Sequence, residues 1–545
     1  MSVPATGGVP TPARETAGVG LTLLDPSAAK DPPAPSAAAE TEKPPPATAP
    51  ERAPLRYTVV YVSSPLVARG PRNLLAPLGT SQRHLPSILF VAQLANLAIM
   101  FVLIVVGLGI TAATVEATNL TSLLVWSVWW PFIVITAFFT ARLWCTMCHL
   151  RTIAGWFDRF GLKVKVPRIL KRYGTTIPVA TIVGIFVVHS IVVSYGLDHV
   201  PYYTAIFLAG LMVYAAGIGL VFEKNSFCKY FCPLVGVMGN YTRVSPTELR
   251  SADKAQCKRC KDKECVKHCQ NRLYMGTMDD EQQESCLLCM RCVKHCPHDN
   301  IRFSPRPYLR GLWQSPKRTL SGTFAVLVLL GVVMGEVGEN WALVDGWLLA
   351  VPSRMAELTG FERILPAAIT SGGFGKGYLV WEAGWIFVLL PLIILAVCGV
   401  VAFLLVRKHN PLEHVQIYAL GFVPLILSLH AAKLITAFNG AVLGVPHAIA
   451  DPRGFATADA IAAGALTAPA ALVSSTLWGW LMMAFVAGFG LLGSLYVMSR
   501  IARVSFAGER AAAVKSAIPF SVAVTALGIV AVLTMYSWLV IGGGG

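Results

Sequence analysis

Nine apolar stretches, each long enough to cross about 30 Å of hydrocarbon, constrain this 545-residue chain more than any other feature. They fall at roughly 88–113, 119–140, 176–196, 203–222, 319–337, 379–406, 415–439, 472–498 and 517–541. Inside lipid every backbone N–H and C=O must be satisfied within the protein, so open segments of this length are helices. The expected fold class is therefore an all-α polytopic membrane protein of about nine transmembrane helices. Composition agrees, with 55% hydrophobic and 14% charged residues and a mean hydropathy of +0.60. A net charge of +16 could suggest nucleic acid. The basic residues, however, sit in short loops between apolar runs, and no nucleic-acid-reading motif accompanies them.

Those loops carry the orientation. If nine helices cross in turn, the basic connections 141–175, 223–318, 407–414 and 499–516 share one side, and the basic juxtamembrane segment 56–87 joins them. The opposite loops set Arg354, Arg363, Lys376 and Arg453 among Glu116, Asp198, Asp451 and Asp459. The positive-inside rule then puts the N-terminus in the cytoplasm and the C-terminus in the periplasm of a bacterial inner membrane. Residues 1–55, rich in Pro and Ala and poor in aromatics, are expected to form a disordered tail. They have no basic start followed by an apolar core, which argues against a signal peptide. The remaining plan is a four-helix membrane domain at 88–244, a small insert at 245–310, and a five-helix membrane domain at 311–545.

The insert holds eight cysteines: Cys257-x2-Cys260-x4-Cys265-x3-Cys269, then Cys286-x2-Cys289-x2-Cys292-x3-Cys296-Pro297. The second half matches the bacterial ferredoxin run, whose fourth cysteine reaches to the other cluster in two-cluster proteins. That rule predicts two [4Fe–4S] clusters in a ferredoxin-like α+β insert. One would use Cys257, Cys260, Cys265 and Cys296, the other Cys269, Cys286, Cys289 and Cys292. The first half departs by a wider gap before Cys265 and by Gln270 where Pro would stand. Zinc knuckles also use four cysteines but seldom repeat this run. A cytoplasmic position keeps thiols reduced and argues against disulfides.

Four more cysteines lie just past the second and fourth apolar runs, in Cys145-Thr146-Met147-Cys148-His149 and Cys228-Lys229-Tyr230-Phe231-Cys232-Pro233. Two helices and a pair, then two helices and a pair, read as a parallel internal repeat. Cys145, Cys148, Cys228 and Cys232 could converge on a third cluster or metal, act as a thiol couple, or stay unligated. The Cys-x-x-Cys-His order also matches c-type haem attachment, but a basic cytoplasmic loop is the wrong side for it. Cys398, inside an apolar run, reads as a small buried hydrophobe.

Within the membrane, His430 and Lys433 stand three apart on one helix face and are the candidate catalytic pair, suited to a quinone head group or a proton relay. Pairing of His430 with His189 could in principle ligate haem, but two lone histidines are common coincidence and haem is not expected. Glu336, Glu339 and Glu382 fall near helix ends and read as interfacial.

These cysteine motifs resemble those of the NapH/NosR-type membrane polyferredoxins, a group related to the CcoG/FixG/RdxA proteins, over roughly residues 85–310. The Phe227–Leu234 motif has the family form, whereas the first pair has one residue fewer and His149 in place of Pro. The resemblance implies electron transfer between the quinone pool, or an acidic cytoplasmic carrier, and a respiratory or assembly partner protein. It also implies a component of a quinol-linked oxidoreductase rather than a stand-alone enzyme. The lysines and arginines crowding the cluster motifs suit an acidic partner or anionic membrane lipid. The alternative function is a metal-handling, transport or metalloenzyme-assembly protein that uses the clusters as reductant.

Overall fold

The helix that carries His430 is the hub of the molecule. In the computed structural model, 89% of the most apolar 18-residue window of Pro411–Ala450 is buried, against 28–33% in the other crossing candidates. A helix walled on every side by other helices explains why this run tolerates polar residues that a lipid-facing one would not. The structure describes residues 73–168, 199–223, 225–232, 234–278, 285–314, 320–338, 342–359, 381 and 384–541.

Among the described residues, seven helices are long and apolar enough to cross a membrane. They are Ser81–Gly107, Leu120–Thr140, Pro201–Val221, Trp385–Val406, Pro411–Ala450, Ser475–Ser505 and Arg510–Val540, and each coincides with an expected run. The chain is thus a multi-pass membrane protein. The run expected at 319–337 forms a shorter apolar helix, Gly322–Gly338. The run at 176–196, the 1–55 tail, the basic segment up to residue 72, His189, Glu339, Glu382 and most of the 338–378 loop lie outside the described residues. Within that loop the structure adds a helix, Ala342–Thr359, with Pro352 inside it.

Two crossing helices share a device. Leu123–Trp129 and Trp385–Leu389 are π turns, and each leads into an α-helix with Pro at its second position, Pro131 and Pro391. A proline ring has no N–H to donate and crowds the carbonyl a turn earlier, and the wider π turn relieves that crowding.

Close helix crossings use glycine. A Cβ on Gly219 would run into the backbone of Ala154, and one on Gly331 into the backbone of Ile386 and Phe387. Small residues at such crossings let helices pack by van der Waals contact alone. Gly219→Ala and Gly331→Ala are each expected to cost about 1–3 kcal/mol by overpacking, read as a lower thermal midpoint in detergent. Gly210→Ala, on the same helix as Gly219 but with open space around it, is the control and should not destabilise.

The cysteine-rich insert is closed by an antiparallel ribbon of Thr247–Ser251 and Ile301–Pro305, with Thr247 opposite Pro305 and Ser251 opposite Ile301. The ribbon brings the two ends of the insert together. Leu249, Met275, Leu288 and Ile301 form its core, with Leu85 and Leu89 from the start of the first crossing helix, and Leu75 just ahead of it, packed against that core. Arg83 adds a bidentate pair to Asp299 at 2.7 and 2.8 Å. All described residues belong to one compact unit.

Candidate functional site

The eight insert cysteines are gathered in crossed sets. Cys257, Cys260, Cys265 and Cys296 line one small cavity with Tyr274 and Asn300. In the other set, Cys286 and Cys292 each feel the charges of Cys289 and Cys269.

The crossing follows from a local two-fold likeness of the two halves. The short helices Glu264–Lys267 and Arg291–Lys294 carry Cys265 and Cys292 at their second positions. Each helix starts after a left-handed residue, Lys263 at φ 47° and Met290 at φ 57°. His268 and His295, three residues beyond those cysteines, stack on each other with ring centroids 3.6 Å apart. The closing cysteines are treated alike: Cys269 Sγ accepts the Leu273 N–H at 3.3 Å, and Cys296 Sγ accepts the Asn300 N–H at 3.4 Å. The wider gap before Cys265 and the missing proline at Gln270 therefore leave the first half equivalent to the second.

Burial pushes the Cys286 thiol up to about 12, with the Leu288 N–H pulling the other way. Cys292 is raised well above the thiol range for the same reason. Cys257, Cys265 and Cys269 are also raised by burial. Thiols like these give up their protons only to a cation that binds them, so loading releases protons. Four soft sulfur donors with backbone N–H groups aimed at the sulfurs fit an iron–sulfur cluster, whose potential such hydrogen bonds tune. Among the described residues, no group of three or more His, Cys, Asp or Glu is arranged to hold a single metal ion.

The remaining four cysteines also converge. Cys148, Cys228 and Cys232 share an apolar cluster with Leu150, Ala154 and Phe227, and the charge of Cys145 bears on all three. The two pairs have matching backbone geometry despite their different spacing. Cys148 (φ −65°, ψ 128°) and Cys232 (φ −67°, ψ 123°) each close a helical turn in extended conformation. The extra residue of the second pair is absorbed by a π turn, Phe227–Phe231, closed by the Cys232 N–H on the Phe227 carbonyl at 2.8 Å. Burial raises Cys148 to about 11 and Cys228 to about 12.

Two buried arginines serve this quartet, one 4% and the other 6% exposed. Arg142 hydrogen-bonds the Cys145 side chain and faces Cys228 and Cys232. Arg151 favours the thiolates of Cys148 and Cys228 and donates to the Cys145 and Thr146 carbonyls, both at 3.3 Å. A guanidinium cannot shed its charge, so burying two of them calls for anions close by. The quartet is also tied to the second insert set. Thr146, between Cys145 and Cys148, donates to the carbonyl of Leu287, between Cys286 and Cys289. Arg151 reaches Gln270, next to Cys269.

From the quartet a column of rings runs inward. Trp129 packs against Trp144 and against His149, each at 5.8 Å between centroids. Trp130 follows Trp129 at 6.4 Å and lies 6.2 Å from His430. His430 Nδ1 stands 2.8 Å from the Tyr241 hydroxyl. Lys433 faces Glu336 at 3.6 Å, so Glu336 joins this group rather than a plain interface. Tyr241 belongs to no motif, and helix topology rather than sequence spacing brings it, Trp129 and Trp130 to this place. Cys398 sits in the apolar core, as expected.

Fold and site define a class: a multi-pass helical membrane protein with twelve thiols gathered into three sets of four. Part of the chain has a curated relative. Over 153 residues the chain is 27% identical to the protein named "Putative electron transport protein YccM" of Escherichia coli (strain K12), a match covering 28% of this chain and 39% of that protein. The chain therefore spans about two fifths of the relative it matches. No family model and no solved structure matches the chain.

Proposed function

We propose that this protein is a membrane-bound iron–sulfur electron carrier of the NapH/NosR-like kind. Cys257, Cys260, Cys265 and Cys296 would hold one [4Fe–4S] cluster, and Cys269, Cys286, Cys289 and Cys292 the other. Cys145, Cys148, Cys228 and Cys232 would hold a third centre. The observation that carries the reading is the crossed gathering of the insert cysteines, a pattern that two-cluster ferredoxins need and zinc knuckles do not. The printed name of the relative, an electron transport protein, points the same way. When bound, the clusters supply one-electron chemistry. The chain supplies burial, N–H donors to sulfur, and the hydrogen-bonded contacts that hold the three sets together.

In this reading the insert faces the cytoplasm of a bacterial cell, as the basic loops suggest. Lys258, Lys261, Lys263 and Lys267, exposed beside the first set, suit an acidic soluble carrier. The partner inside the membrane is a quinone. The test is the iron and acid-labile sulfide content of protein purified without oxygen, with low-temperature EPR after dithionite. Two [4Fe–4S] clusters require about eight iron atoms per chain, and a quartet-bound centre adds to that figure. The excess alone should vanish when Cys145, Cys148, Cys228 and Cys232 are changed to Ser. A colourless, iron-free preparation would end the reading.

A further inference from the structure

We propose that His430, Tyr241, Lys433 and Glu336 receive the head group of a lipid-soluble quinone, and that Trp130 and Trp129 couple it electronically to the Cys145–Cys148–Cys228–Cys232 quartet. The inference rests on the electron-carrier reading above and gives it a place and a route.

Ionisable side chains inside a crossing helix are costly unless they serve a purpose. Here they form one group drawn from three separate segments: Val235–Thr242, Leu320–Gly338 and Val423–Ala441. His430 is 9% exposed and cannot be snorkelling to a surface. Lys433 and Glu336 have side chains 47% and 30% exposed. The group is thus closed behind, at His430 and Tyr241, and open beside, at the ion pair, which is the form of a site entered from the lipid. With its Nδ1 engaged by Tyr241, His430 keeps Nε2 for a ligand.

The chemistry narrows the ligand. His430 and Lys433, three residues apart on one helix face, can each hand over or take a proton. The ring column ends on His430, and no step between neighbouring centroids from His149 to His430 exceeds 6.4 Å. A molecule that dissolves in the bilayer and exchanges electrons together with protons is a quinone. The balance is quinone + 2 e⁻ + 2 H⁺ ⇌ hydroquinone, with two O–H bonds formed in reduction and broken in oxidation. Electrons pass singly to or from the one-electron centre proposed for the quartet. Protons pass through His430 and Lys433 and are exchanged with water. The indoles are a coupling medium and are not themselves oxidised.

The test uses the full chain in lipid nanodiscs with decylubiquinone as probe, by two measurements. Equilibrium binding is measured by calorimetry on both iron-loaded and iron-depleted protein. His430→Ala and Tyr241→Phe should each weaken it by about tenfold, the value of one lost hydrogen bond of ordinary strength. Re-oxidation of dithionite-reduced protein is followed by stopped flow. Trp129→Leu should slow it by about tenfold or more at unchanged iron content, and Trp129→Phe, which keeps an aromatic ring, should restore most of the rate. Parental binding in His430→Ala, or a parental rate in Trp129→Leu with its iron intact, overturns the inference while leaving the electron-carrier reading standing. Should Trp129→Leu lose iron, the binding measurement on iron-depleted protein decides. Absence of iron from the parent would defeat the earlier reading but not the binding site.

Discussion

Changing Cys296 to Ser is expected to destroy the redox signal of the set containing Cys257, Cys260 and Cys265, and to spare the cysteines nearest to it in sequence. Iron should fall by about four atoms per chain, one cubane's worth. Double variants separate crossed from sequential ligation. If Cys296 and Cys257 serve the same set, the pair of changes removes no more iron than either alone. Cys296→Ser combined with Cys286→Ser should remove both insert clusters, about eight atoms in all. Sequential ligation inverts these outcomes. The structure favours crossing because Cys296 lines the cavity of the first set and Asn300 ties the two ends of that set together. Its N–H reaches Cys296 Sγ at 3.4 Å and its side-chain amide reaches Cys257 Sγ at 3.2 Å. Non-additivity is the expected mark of residues that act as one unit. Iron and sulfide assays with EPR spin counting provide the check.

The same case shows what sequence could and could not carry. The gathering of Cys296 with Cys257, Cys260 and Cys265 around one cavity was legible because the Cys-x2-Cys-x2-Cys-x3-Cys-Pro run encodes a local turn, and local turns are written in spacing. Seven crossing helices were legible because hydropathy over about twenty residues reports a solvent, not a partner. The two pairs, Cys145–Cys148 and Cys228–Cys232, were legible as a repeat, but the match of their backbones was not. Their spacings differ, and only the π turn at Phe227–Phe231 shows how the extra residue is absorbed. Glu336 was read as interfacial from its position near a helix end, which does not reveal its ion pair with Lys433 on another helix. Tyr241 carries no motif and lies 189 residues from His430. Contacts between helices distant in the chain are set by packing of small and large faces, and periodicity alone does not name the neighbour.

Replacing Arg142 with Met should be the most damaging change outside the cysteines. Arg142 is buried against Cys145, Cys228 and Cys232, so its removal leaves Arg151 alone to balance anionic sulfur in a low-dielectric pocket. Breaking one side of such a buried pair costs about 3–5 kcal/mol. The expected outcome is a lowered thermal midpoint in detergent and loss of the iron held beyond the eight atoms or so of the two insert clusters. Those two clusters should keep their EPR signals, because Cys145, Cys228 and Cys232, the sulfurs that Arg142 faces, all belong to the quartet. Arg142→Lys keeps the charge but loses the planar fork that reaches several sulfurs, so it should fall between parent and Met. The decisive comparison is a cycle with Cys145→Ser. If the guanidinium is there to balance thiolate charge, Arg142→Met costs less once Cys145 is gone, and the coupling between the two changes is large. If Arg142 only fills space at the foot of the Leu120–Thr140 helix, the two effects add. The presence of Arg151 beside the same sulfurs makes the first outcome the expected one, since two buried cations are tolerated only where the quartet supplies negative charge to meet them both.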